Sequence, residues 1–132
     1  MTQTQERSIV NVLLYSDNID TRQAVMDAVG VRPGKDLPQV NWIEAATEAG
    51  AVTKFTENEI DALVLDGETQ KAGGMAVLRR LVVENECTAP ALILVARQQD
   101  EWLAQYAGAT ATLLTPFDAV SLTDAVAALL RK

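Results

Sequence analysis

The sequence predicts one α/β domain in which a parallel sheet is wound on both faces by helices. Three observations carry this. Four apolar runs, Ile9–Tyr15, Ala62–Leu65, Ala91–Val95 and Ala111–Leu114, are rich in Val, Ile and Leu and almost unbroken, as strands covered on both faces are. Segments of helical period separate them, so strand and helix alternate, and right-handed crossovers then lay the strands parallel. The 132 residues suffice for one core without a metal or disulfide to support it.

The elements follow in order. Met1–Ser8 is polar and lacks the apolar stretch of a signal peptide, so residues 1–8 are expected to form a tail and residues 9–132 the domain. After the first strand, Thr21–Val29 places Ala24, Val25, Ala28 and Val29 on one helical face, with Asp20 positioned to cap it and Gly30 to stop it. The loop Arg32–Gln39, carrying Pro33, Gly34 and Pro38, leads to Val40–Ile43, whose alternation and Trp42 suit an edge strand. Ala49–Asn58 makes a second helix with Val52 and Phe55 inward. Gly74–Asn85 follows the third strand, with Met75, Leu78, Leu81 and Val82 at helical spacing. In Asp100–Ala107, which ends before Gly108, Trp102, Leu103, Tyr106 and Ala107 form one apolar stripe. Core packing is its default, but the stripe is broad for two turns, which leaves room for an aromatic at the surface. The last helix, Ser121–Leu130, turns Leu122, Val126, Leu129 and Leu130 inward and sets Arg131 and Lys132 at its negative end.

Composition excludes several functions. Eighteen acids against 11 bases give a net charge of −7 with no block of Lys or Arg, so nucleic-acid backbones are not expected partners. No histidine is present, which removes His triads, His general bases and His-ligated metals. Cys87 is the single cysteine, and Glu84 and Glu86 beside it disfavour a thiolate, so it reads as a bystander. The apolar runs Ala91–Ala96 and Ala125–Leu130 are far too short to cross a bilayer. A soluble cytoplasmic protein without membrane insertion is the expectation.

Two acids stand where parallel sheets present ligands. Asp17 follows the first strand and Asp66 the third. On neighbouring strands they would converge on one crevice, hold Mg²⁺ through oxygen and offer a carboxylate nucleophile. Spacing alone gives equal weight to plain capping and turn roles.

Asn11-Val12-Leu13-Leu14-Tyr15-Ser16-Asp17-Asn18, Ile60-Asp61-Ala62-Leu63-Val64-Leu65-Asp66 and Leu113-Leu114-Thr115-Pro116-Phe117 resemble the receiver domain of bacterial response regulators, in order and from about Ile9 onward. The resemblance implies a flavodoxin-like five-stranded sheet in the order 2-1-3-4-5. It places Asp66 at the phospho-acceptor position and Ser16, Asp17 and Asp66 in an acidic pocket. Gly108-Ala109 looks like the Gly-Ala that precedes the family's last strand, and Thr115–Pro116 becomes a candidate cis peptide.

The departures from the family pattern are concentrated in that pocket. Ser16-Asp17 replaces a pair of acids, which leaves at most a weak Mg²⁺ site on Asp17 and Asp66. Val95 stands where a Thr or Ser would donate to a phosphoryl oxygen. Thr115 stands where a Lys would neutralise it, and charge neutralisation is most of what phosphoryl-transfer sites supply. Thr112 replaces the switch aromatic. The loop Glu68–Gly74 would overhang the crevice; its paired glycines lack a Walker pattern and read as a turn.

The expectation is therefore an atypical stand-alone receiver without an output domain. It is not an enzyme, and it works by protein docking as an adaptor or accessory subunit. Trp102, Tyr106 and Phe117 are the candidate partner-binding residues. The resemblance extends to actinobacterial receivers linked to the respiratory NADH dehydrogenase complex, which makes such an assembly a candidate partner. The alternative is a conventional receiver phosphorylated on Asp66 by a histidine kinase.

Overall fold

The structure, a computed structural model, describes residues 9–68 and 73–131. The expected tail, residues 69–72 of the loop after Asp66, and Lys132 lie outside the described residues.

Strands β1 (Ile9–Tyr15), β2 (Gln39–Ala45), β3 (Ala62–Asp66), β4 (Ala91–Val95) and β5 (Ala111–Leu114) alternate with helices α1 (Ile19–Val29), α2 (Glu48–Glu57), α3 (Gly74–Asn85), α4 (Gln99–Tyr106) and α5 (Ala119–Leu130). The sheet has the order β2-β1-β3-β4-β5, every pairing parallel. The predicted doubly wound fold is the observed one.

Because side chains alternate across a strand, the sheet sends two sets of residues to two cores. Leu13, Tyr15, Leu63, Leu65, Ile93 and Val95 pack against Ala51, Val77, Leu78, Leu81 and Ala104, which puts α2, α3 and α4 on one face. Val12, Leu14, Ala62, Val64, Leu92 and Leu94 pack against Val25, Val29, Leu122, Val126 and Leu129, which puts α1 and α5 on the other. Each fully buried Leu or Val contributes about 1.5–3 kcal/mol.

Several local expectations change. Asn18, not Asp20, caps α1: its Oδ1 accepts the N–H groups of Asp20 and Thr21 at 2.8 and 3.4 Å. Asp20 instead lies in the first turn, where a negative charge suits the helix dipole. The cap also exposes Ala24 and leaves Val25 and Val29 as the buried residues of α1. Gly30 does end that helix, at φ +73°, a conformation that costs other residues. β2 starts one residue earlier and ends two later than its alternation indicated, because backbone pairing with β1 continues from Ile9–Gln39 to Tyr15–Ala45. Thr47 caps α2, and Asp118 starts α5 two residues early by accepting the Ser121 N–H at 2.7 Å. In α3, Val77 takes the buried position expected of Val82, which is exposed.

Candidate functional site

The strand order places the C-terminal ends of β1 and β3 side by side, and Asp17 and Asp66 line one crevice there. Asp20 and Glu68 add two more carboxylates, and Leu94, Thr115, Pro116 and Phe117 form the opposite wall. No Lys or Arg lines the crevice among the described residues.

Asp66 closes β3 and is buried. Its Oδ2 accepts the Ser16 hydroxyl at 2.7 Å and its Oδ1 accepts the Glu68 N–H at 2.8 Å. Ser16 is fully buried and itself held firmly. Its Oγ accepts the Asn18 N–H at 3.1 Å, its N–H donates to the Ala45 carbonyl, and its own carbonyl accepts Arg22 Nη1 at 2.7 Å. Arg22 in turn pairs with Glu44 at 2.9 Å. Ser16 thus points its proton at Asp66, where a second acid would have placed a charge.

Gly67 fixes how β3 leaves the sheet. Its N–H donates to the Leu94 carbonyl at 2.8 Å, and a Cβ there would stand 2.5 Å from that same oxygen. Only glycine allows this approach. Just past the end of β4, the side chain of Glu68 reaches Ala96, whose N–H donates to Oε2 at 3.3 Å.

The remaining positions singled out by sequence fall in different places. Val95 is fully buried in the core beneath α2, α3 and α4, while Leu94 lines the crevice. Thr115 lines it too, but its N–H and Oγ1 both donate back to the Val95 carbonyl, at 2.8 and 3.4 Å. Thr115–Pro116 is cis. Thr112 Oγ1 donates to Glu101 Oε2 at 3.0 Å, which ties β5 to α4. Phe117 belongs to the crevice wall and the α1/α5 core.

Trp102 and Tyr106 lie elsewhere. On α4 the buried residues are Asp100 and Ala104, while Trp102, Leu103 and Tyr106 are 67%, 47% and 78% exposed. The rings of Trp102 and Tyr106 stack at 5.8 Å with their planes 17° apart. The core expected for this stripe is therefore absent, because a helix of two turns that buries a small face has no room for aromatics on it. Arg97 satisfies the buried Asp100 carboxylate with two bonds of 3.0 and 3.1 Å, and those bonds hold its guanidinium even more basic than usual. Cys87 is buried, and burial itself rather than its acidic neighbours pushes the thiol up.

Two proteins of Mycobacterium tuberculosis, from strains H37Rv and CDC 1551, each described as an uncharacterized response regulatory protein, are 38% identical to this chain over 122 residues, 92% of it and 92% of them. The chain belongs to the response-regulator family. It is a receiver domain. No family model matches it. Among solved structures, a two-component response regulator from Clostridium difficile superposes with a TM-score of 0.78 at 18% identity, covering 93% of this chain and 97% of that one. The NtrX receiver domain of Brucella abortus gives 0.76 at 18%, covering 92% and 98%. The TrrA response regulator of Thermotoga maritima, in complex with Mg²⁺-BeF, gives 0.74 at 20%, covering 92% and 99%. At these identities the superpositions establish the fold alone.

Receiver domains are signalling modules that interact with proteins such as kinases. No helix of this receiver, among the described residues, is long and apolar enough to cross a membrane. Sequence reasoning missed two contacts that involve the main chain, the Glu68 bridge to Ala96 and the Arg22 bond behind Ser16, and the side-chain pair of Arg97 and Asp100 at α4. Only Glu68 carried a signal, by its position two residues after Asp66.

Proposed function

We propose that this receiver acts through its own surface, as an adaptor or accessory subunit of a larger protein assembly, and that phosphorylation of Asp66 does not gate it. The observation that carries this reading is the exposed stack of Trp102 and Tyr106 on α4. Aromatic side chains held rigidly in water are the groups that most often anchor an interface. Thr112, bonded to Glu101, supports a surface that is held in one state rather than switched.

The crevice supports the second half of the proposal. A phosphoryl group on Asp66 would meet Asp17, Asp20 and Glu68, with no lysine or arginine lining the crevice among the described residues. Charge neutralisation is the main service such sites perform. Asp17 and Asp66 fit a divalent cation as hard oxygen ligands, and Mg²⁺ held there would supply positive charge to an incoming phosphoryl group. With Ser16 in place of a second acid, water would make up most of its shell.

A second reading is favoured by the placement of Asp66 itself, buried at a strand end beside Asp17: a phospho-acceptor served by a histidine kinase. The two separate by one comparison. Affinity capture from native lysate with wild type, Asp66→Ala and Leu103→Lys, read by mass spectrometry, should give the same partner for the first two and lose it in the third. Subunits of a respiratory NADH dehydrogenase are the assembly to look for. Loss of the partner from a folded Asp66→Ala protein would overturn the docking reading.

A further inference from the structure

The short helix that carries the exposed aromatics is seated on the sheet through a charge. α4 has eight residues, and those it buries are a carboxylate, Asp100, and a methyl group, Ala104, one turn apart on the same face. So small a face supplies little apolar area. Its start lacks a side-chain cap, since Gln98 stands at the cap position without making that bond. Arg97, in the loop after β4, grips the first turn instead: its Nε and Nη2 donate to the two Asp100 oxygens at 3.0 and 3.1 Å. The pair is lopsided. The Asp100 side chain is 8% exposed and that of Arg97 65%.

We propose that Arg97 is the positioning residue of the docking face: by satisfying the carboxylate that α4 turns inward, it keeps the helix seated and the Trp102–Tyr106 stack outward. The unequal burial gives the two partners unequal parts. Without Arg97, Asp100 is a buried charge stripped of its forked cation, and the helix recovers hydration for it by lifting from the sheet. Without Asp100, Arg97 stays hydrated on its exposed side, and the inward face of α4 keeps only small apolar groups, which sit as before. Trp102 and Tyr106 stand one turn apart, so their stack at 5.8 Å reports whether the helix between them is intact.

This role rests on the docking reading for its purpose but not for its test, because α4 can be followed without a partner. Amide hydrogen exchange and the Tyr106 ring-proton signals report on it in the full chain. Arg97→Ala should speed exchange across residues 103–107 at least about tenfold and move the Tyr106 signals toward those of free tyrosine, with β1 and β3 unchanged. Arg97→Lys, which cannot fork onto both oxygens, should fall between Arg97→Ala and wild type. Asp100→Ala, alone or combined with Arg97→Ala, should stay close to wild type. A bond that served equally from either end would be missed equally, so equal loosening by Arg97→Ala and Asp100→Ala overturns the positioning role. An α4 unmoved in Arg97→Ala does the same. In the capture experiment the double variant should keep the partner that Arg97→Ala loses; its loss from a double variant with α4 intact would make Arg97 a direct contact and overturn the proposal. The docking reading fails separately, through retention of the partner by Leu103→Lys, which leaves the exchange result standing.

Discussion

Ser16 shows how much one side chain can decide. The Ser16 hydroxyl donates to a buried carboxylate and accepts from the Asn18 N–H, so Ser16→Ala should remove both hydrogen bonds. A loss of about 1–3 kcal/mol is expected, measured by urea unfolding. Ser16→Asp would instead place two carboxylates in contact. Cys87 gives a pH prediction. Its folded thiol titrates above the ordinary value of 9.0, so its contribution is fully present below that value and fades as pH rises through the folded one. The urea midpoint should fall in that alkaline range, and Cys87→Ala should flatten the fall. The positions of Asp17 and Asp66 were legible in the sequence because strands announce their ends. The direction of the Ser16 proton was not, since it follows from the meeting of β1 and β3.

At the scale of elements, α4 is where sequence and structure part. An apolar stripe reads as inward by default, yet here the inward residues are Asp100 and Ala104. The reversal depends on Arg97 neutralising Asp100 from the preceding loop, a pairing that periodicity does not reveal. Since Trp102 and Tyr106 bury little within the receiver, Trp102→Ala and Tyr106→Ala should shift unfolding free energy by no more than about 0.5 kcal/mol. Partner affinity, measured by calorimetry once the partner is captured, should drop at least about tenfold for Trp102→Ala. Helix starts were only partly legible. Asn, Thr and Asp caps all occur, but Asn18 and Asp20 compete within two residues, and hydrogen-bond geometry rather than residue type chose Asn18.

For the whole molecule, the alternation of buried runs with helical segments sufficed to specify the sheet, because each parallel pairing demands a crossover and the crossovers have one hand. The cost of disturbing the core is correspondingly general. Leu63 is fully buried at the sheet centre, and Leu63→Ala should remove about 2–5 kcal/mol, measured as a lower urea midpoint with an unchanged slope. The C-terminal end of α5 is pinned to the loop before β2 by Arg131 on Asp36, at 2.8 and 3.1 Å, which holds that carboxyl below its usual range. That contact should weaken as the medium is acidified through the lowered value, and NMR titration of Asp36 would record it.

The sheet order also separates the two tryptophans. Trp42 lies on the edge strand β2, packed against the core, with its indole N–H donated to the Gly30 carbonyl at 2.9 Å. Trp102 lies by the opposite edge, in water and stacked on Tyr106. The fold thus carries two native fluorophores in unlike surroundings. Acrylamide should quench the red-shifted emission of Trp102 first and leave the bluer emission of Trp42. A bound partner should protect the former alone, so that one spectrum reports docking and unfolding at once.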